Sequence, residues 1–314
     1  MNIRIFQPGD EHAQLKLYNA GASTFPKFKP ASLIEIQRRV QARDFDAGTR
    51  FYGEDGGEVV AYCTFQANGR ISYPWHSPGH QADADAILAY VIGAMKQRGM
   101  PSAFASYRKD WPTINQYFEA HGFKLAREMV NYLLDIENLP TASARVGNMV
   151  TTATDDDFPA IFALDPSVFR VPNADALKQA IWKNPYFDPR SVFVLRNRSD
   201  GTPIAAGLFI INSQYADPRV LDADMPCFRL GAFGTEGMTA KRVKGMFSFV
   251  AKPERNLFSI GMDMLGHASS LLGSDDEIMC YTAQVATDAT ALHAFYQRLF
   301  VRQGSFPVYE LTLA

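Results

Sequence analysis

A chain of 314 residues, 47% of them apolar, is long enough for two domains of about 150 residues, each able to bury a core without a metal or cross-link. Its 31 basic and 33 acidic residues nearly cancel, and no Lys/Arg stripe could neutralise a run of phosphates, which argues against nucleic acid as a partner. Cys63, Cys227 and Cys280 are odd in number and widely spaced, so they read as packing residues in a reducing compartment, with no metal expected. The start MNIRIFQPGD has no leader-like apolar stretch and no apolar run approaches 18 residues, so the expectation is a cytoplasmic protein without a membrane partner.

In chain order, Ile3 to Phe6 alternates as a strand, and Gln7-Pro8-Gly9-Asp10 turns it into a helix through Leu15 and Leu17. Leu33, Ile36 and Val40 share one face of a second helix. Strands at Arg50–Tyr52 and Glu58–Gln66 follow, split by Glu54-Asp55-Gly56-Gly57. Another strand spans Arg70 to Trp75, and a loop with Pro78 leads to a helix that carries Ile87, Leu88, Val91, Ile92 and Met95 and stops at Gly99. The strand Ser102–Tyr107, a helix near Thr113–His121 and a strand around Met129–Ile136 complete a set. Leu139 to Asn148 is polar and short of large apolar residues, as a linker is.

The order then starts again. It runs through a strand at Val150–Thr154, helices through Ile161 and Leu164 and over Ala174–Trp182, and strands at Ser191–Arg196, Ile204–Ile211, Phe228–Phe233 and Gly245–Ala251. A Pro-containing loop opens a helix over Leu257–Leu272, and the strand Ile278–Val285, the helix Thr290–Leu299 and a strand near Val308–Leu313 close the chain. Two spacings recur. Pro78, Gln81, Ala84 and Ala86 repeat as Pro253, Asn256, Ser259 and Gly261, and Ile114, Tyr117, Phe118 and His121 repeat as Leu292, Phe295, Tyr296 and Leu299. The expected domains are residues 1–138 and 149–314, joined by 139–148.

A strand that enters a loop of small residues and opens a helix presents backbone N–H groups and a dipole to an anion. That order of elements, with the loop spacing, resembles the GCN5-related N-acetyltransferase family, whose loop runs Gln/Arg-x-x-Gly-x-Gly/Ala. The resemblance implies an α/β architecture (α+β mixed sheet) of two tandem acyl-CoA N-acyltransferase-like domains. It also implies acetyl-CoA as co-substrate and an amine on a small molecule or protein as acceptor. The loop motif is degenerate in both copies: Gln81 to Ala86 lacks the glycines, and Asn256 to Gly261 has Asn for Gln/Arg and Ser for the first Gly.

The copies are unequal. Asp83 and Asp85 would set two carboxylates against a diphosphate and satisfy the helix dipole themselves, whereas the second loop has Lys252 and Arg255 beside a single Glu254. By the resemblance, Phe249, Val250, Ala251, Asn256, Leu257, Phe258, Ser259, Ile260 and Gly261 would hold the co-substrate. Tyr296 would protonate the leaving thiolate, where the first copy has Phe118. Glu236, in the polar loop Gly234-Thr235-Glu236-Gly237, is the candidate base, and Asn173 to Pro189 the region that shapes the acceptor pocket. The second domain is therefore the expected catalyst and the first the non-catalytic one. The alternative is an inactive relative that senses CoA or binds a protein.

Overall fold

A computed structural model describes residues 1–139, 150–210, 244–252, 256–272 and 279–313, with the exception of 29, 42, 44, 170, 185, 186, 188 and the side chains of 38 and 244. The first series of elements is β1 (Asn2–Ile5), α1 (Asp10–Ala22), α2 (Leu33–Val40), β2 (Arg50–Asp55), β3 (Glu58–Thr64), β4 (Trp75–His76), α3 (Gln81–Gln97), β5 (Ser102–Ser106), α4 (Pro112–Ala120) and β6 (Lys124–Asp135). The second is β7 (Val150–Thr152), α5 (Phe158–Leu164), α6 (Ala174–Trp182), β8 (Val192–Arg196), β9 (Pro203–Ile210), β10 (Lys244–Ala251), α7 (Leu257–Ser270), β11 (Cys280–Ala286), α8 (Thr290–Leu299) and β12 (Val301–Thr312). Among the described residues the two series have the same order of strands and helices. The expected strand at Phe228–Phe233 lies outside them.

The chain forms two compact units, Met1–Met129 with Ser305–Ala314, and Val130–Gly304. The expected domains 1–138 and 149–314 differ from these units in where two long strands fall: the first six residues of β6, Lys124–Met129, and the last eight of β12, Ser305–Thr312, belong to the first unit. Within that unit Val308–Thr312 pairs antiparallel with Ser106–Ser102 of β5.

In the first unit β1, β2, β3 and β4 form an antiparallel sheet in sequence order, with Tyr52 opposite Tyr62 and Phe51 opposite Cys63. Alternation sends neighbouring side chains to opposite faces. The Tyr52 hydroxyl donates to Gln14 of α1 at 2.8 Å, while the Phe51 ring meets Tyr90 of α3 at 5.4 Å, so α1 and α3 cover different faces. Ser32 and Glu35 close a capping box at the start of α2. α1 starts within the expected turn Gln7-Pro8-Gly9-Asp10: Gly9, at φ 105°, is the cap, and Asp10, the first helical residue, accepts the Gln7 N–H at 2.6 Å.

The second unit is likewise covered on both faces. Phe247, Phe249 and Ala251 pack with Met264, Leu265 and Ala268 of α7 and with Phe295 and Tyr296 of α8. Val250, Val192, Val194 and Ala206 point the other way, against Phe158, Ile161 and Leu164 of α5 and Leu177 of α6. Each large side chain so buried contributes about 1.5–3 kcal/mol.

Candidate active site

β10 lies between an antiparallel neighbour and a parallel one. Its pairing with β9 runs from Met246 opposite Ile210 to Ala251 opposite Ala205. Its pairing with β11 stops early, at Lys244, Gly245 and Met246 opposite Cys280, Tyr281 and Thr282. Past that point the strands part, and among the described residues no strand receives the backbone groups of 247–251 on their inner edge. Thr282 marks the fork: its hydroxyl is buried and donates to the Gly245 carbonyl at 2.7 Å.

Tyr296 of α8 projects to this edge. It is 2% exposed, and its hydroxyl donates to the Phe247 carbonyl at 3.4 Å. Burial raises its pKa well above that of an ordinary tyrosine, with Ser248 and the Phe249 backbone pulling partly the other way. The ring is fixed by Tyr132 stacked at 5.9 Å and by Phe300 edge-on at 5.0 Å. This restraint aims the hydroxyl.

Ala251 ends β10, and α7 opens at Leu257. Asn256 is its cap, its side-chain oxygen taking the Ser259 N–H at 3.3 Å. The N–H groups of Leu257 and Phe258 have no intrahelical acceptor by geometry alone. Asn256 and Ser259 are exposed and Leu257 and Phe258 half-buried, while Ile260 and Gly261 face the core. Gly261 is required by packing, because a Cβ there would lie 2.5 Å from the Phe295 ring and 2.9 Å from that of Phe249. Lys252 is exposed beside the loop; Arg255 and Glu254 lie outside the described residues, as does Glu236.

No protein-family model matches the sequence, and no curated protein does. Solved structures do match it. A GCN5-related N-acetyltransferase from Sphaerobacter thermophilus aligns over 99% of this chain and 95% of its own, with a TM-score of 0.62 and 14% identity. A tandem GNAT protein from the clavulanic acid biosynthesis pathway aligns over 100% and 98%, at 0.56 and 13%. The chain has the GCN5-related N-acetyltransferase (GNAT) fold in tandem. A glucosamine N-acetyltransferase region of a fungal multi-domain GH3 β-N-acetylglucosaminidase also aligns, over 99% of this chain and 38% of its own, at 0.63 and 11%. At such identities the likeness carries the fold alone.

The first GNAT-fold unit has the same fork, reduced to a bridge in which the Ile71 N–H donates to the Phe104 carbonyl at 2.9 Å. Here the expected strand Arg70–Trp75 is realised only as Trp75–His76, with Arg70 and Ile71 in isolated bridges. Beyond the bridge, the Tyr107 hydroxyl accepts the Tyr73 N–H at 2.6 Å, and Phe118 stacks on Tyr107 at 5.9 Å. Asp83 lies in the first turn of α3, as expected, and the cap residue His80 makes no side-chain bond to the helix backbone. Asp83 pairs with the His80 ring at 2.6 Å, and Asp85 meets Gln81 at 3.2 Å and His121 at 3.3 Å. The loop spacing also needs a shift of one residue. The first helical residues, Gln81 and Leu257, are the natural anchors, and Pro78 then falls opposite residue 254 rather than Pro253.

One arrangement in the second unit escapes sequence reasoning. The Tyr132 hydroxyl lies 2.8 Å from His293 Nδ1, and Gln297 meets Nε2 of the same ring at 3.0 Å. Tyr132 and His293 are 161 residues apart, and no motif links them. α7 also carries Asp263, whose pKa burial raises, and His267, whose pKa burial lowers and whose ring is 4.9 Å from that of Phe193. The Asn173–Pro189 segment opens with Asn173 capping α6 through the Ala176 N–H at 2.9 Å. Among the described residues no helix is long and apolar enough to cross a membrane, and no group of His, Cys, Asp and Glu could hold a metal ion.

Proposed function

We propose that the second unit binds acetyl-CoA and transfers its acetyl group to a primary amine of a small molecule or a protein side chain. The observation that carries this reading is Tyr296, buried at the point where β10 leaves β11, with its hydroxyl on the Phe247 carbonyl. The free edge of Phe249, Val250 and Ala251 suits an extended amide-bearing arm, which would pair with it as a strand does. The opening turn of α7, from Asn256 to Gly261, suits the diphosphate. The amine would attack the thioester carbonyl, a C–N bond would form, and the C–S bond would break. Tyr296 would donate its hydroxyl hydrogen to the departing sulfur. Its raised pKa keeps it protonated at neutral pH, the state that donates. The proton lost by the amine would pass to water or to a carboxylate such as Glu236. Most of the rate would come from positioning.

A second reading, a CoA-sensing or protein-binding relative without activity, is favoured by Asn256, which spends its own side chain on the Ser259 N–H. Calorimetric titration of the full chain with acetyl-CoA, followed by thiol release over a panel of amines, separates the two. Binding with amine-dependent thiol release supports the transferase, and binding alone supports the sensor. No binding would sink both the transferase and the CoA sensor, leaving only the protein-binding form of the second reading.

A further inference from the structure

Tyr296 stands on a helix that starts without a side-chain cap, since Ala289 offers none. The start of α8 is therefore held over the sheet by what its first turns touch. His293, Tyr296 and Gln297, three and four residues apart, share one face of α8. Tyr132 of β6, which is 0% exposed, meets that face. Its hydroxyl lies 2.8 Å from His293 Nδ1, the two rings stand edge to face with centres 5.6 Å apart, and Gln297 Nε2 lies 3.0 Å from His293 Nε2. With the Gln297 amide N–H donating to Nε2, a neutral imidazole carries its hydrogen on Nδ1 and donates it to the Tyr132 oxygen. A link thus runs from Gln297 through His293 to Tyr132, whose ring stacks on that of Tyr296 at 5.9 Å and 22°.

The first unit ties a helix to a strand tyrosine as well. Glu119, eighth in α4 as Gln297 is eighth in α8, accepts the Tyr309 hydroxyl at 2.7 Å. The seventh residue there is Phe118, which has no proton to give. The fourth, Asn115, stands where α8 has His293 and gives its amide N–H to the Arg108 carbonyl of the preceding loop at 2.9 Å. In the second unit the tied tyrosine lies against the proposed acid.

We infer that Gln297, His293 and Tyr132 are positioning residues for Tyr296, holding its hydroxyl at the fork. The inference rests on the transferase reading of the second unit and names how its acid is held. At 3.4 Å the bond from Tyr296 to the Phe247 carbonyl is long, so it fixes the hydroxyl weakly and the aim comes from what surrounds the ring. Phe300, edge-on at 5.0 Å, is an apolar contact without a preferred direction, whereas Tyr132 is pinned by a directional bond. The link acts through the Tyr296 ring and touches no reacting atom.

The test measures thiol release by the full chain with acetyl-CoA and a responsive amine, acetyl-CoA affinity by calorimetry, and the magnetic resonance spectrum of the chain labelled with ring-¹³C tyrosine, in which the Tyr296 signal is the one lost in Tyr296→Phe. Tyr132→Phe and His293→Leu should each lower kcat about 10- to 100-fold with acetyl-CoA affinity unchanged. The double variant should be no slower than the slower single one, because both changes cut one link. His293→Asn, whose amide N–H takes the place of Nδ1, should recover most of the rate. Tyr309→Phe, which cuts the tie in the first unit, should leave kcat unchanged and so separates positioning from a general loss of stability. The Tyr296 signal should shift or broaden in His293→Leu and return in His293→Asn. The proposal is overturned if kcat in Tyr132→Phe and His293→Leu stays close to that of the wild type, if Tyr309→Phe lowers it as far, or if the two losses multiply. It also falls if the Tyr296 signal is unmoved in His293→Leu or is not returned by His293→Asn. A wild type that releases no thiol with any amine would sink the transferase reading by itself, and the Tyr296 signal would still decide the link by the same two criteria.

Discussion

The molecule carries one structural device twice, and the two versions are furnished differently. Eight residues before the first residue of α3 stands Tyr73; eight before that of α7 stands Phe249. The Tyr73 N–H is taken by the Tyr107 hydroxyl at 2.6 Å. Five residues before α8, where Tyr107 precedes α4, the second unit has Val285, which has no group to offer. Seventh in their helices stand Phe118 and Tyr296, so the hydroxyl at the second fork comes from α8 and is buried by a wall of aromatic rings. The third helical position holds Asp83 in one unit and Ser259 in the other; the fifth holds Asp85 and Gly261. The backbone fork is common property. What each unit does with it rests on five or six side chains.

Exchanging those side chains is the sharpest way to test the comparison. The largest effect should come from Tyr296→Phe, which is expected to lower turnover about 10²–10⁴-fold while leaving acetyl-CoA affinity nearly unchanged, because the ring still packs. Stability should fall by only about 0.5–1.5 kcal/mol. Turnover intact in this variant would mean that Tyr296 merely packs, and the reciprocal Phe118→Tyr should create no activity. Next come the stability changes. Tyr107→Phe strands the Tyr73 N–H and should cost about 1–3 kcal/mol in urea unfolding, with acetyl-CoA binding untouched. Gly261→Ala should cost a similar amount, about 1–3 kcal/mol, by overpacking against Phe295.

Smaller again is the charge exchange. Ser259→Asp should weaken acetyl-CoA binding about five- to tenfold, because a carboxylate then competes for the helix start; Asp83→Ser should leave it unchanged. Equal losses would remove the distinction between the loops. The least effect is on pH dependence. His267 holds its proton more weakly folded than unfolded, so above about pH 6.5 both states are neutral and stability is unaffected. As the pH falls below that value the unfolded chain protonates first and stability drops, until the folded pKa is passed. Urea midpoints at pH 5 and 7.5 should therefore differ less in His267→Gln than in the wild type.

Much of this was open to sequence reasoning, and the exceptions share a cause. The element order and its repetition follow from apolar spacing, and the helix starts follow from Ser32 and Asn256, which cap as their chemistry predicts. Spacing reports which face a residue occupies. It does not report which strand lies next to it. β12 begins at Val301, well before the apolar run at Val308, because its first residues are held by pairing and not by alternation. The strand expected over Arg70–Trp75 is broken into isolated bridges at Arg70 and Ile71 and a short pairing at Trp75–His76, which alternation does not foretell. Arg50 heads a strand, and its guanidinium lies 5.3 Å from the centre of the Phe45 ring, a contact that spacing does not report. Of the named site residues, Tyr296 lies at the fork and Asn256 caps α7, while Glu236 lies outside the described residues.

The assignment of residues 305–314 to the first unit bears on how the protein is made. On the ribosome, residues 1–129 emerge early, but β5 lacks its partner until the last strand has been synthesised. At about 5–20 residues per second the intervening Val130–Gly304 takes roughly 10–35 s to appear. For that interval β5 presents an unpaired edge, the kind of surface that recruits other chains. Nascent chains stalled short of Ser305 should therefore be more prone to aggregation and to chaperone capture than completed ones. A protein stopped at the 139–148 segment should behave as a chain still waiting for its final strand, not as a finished half.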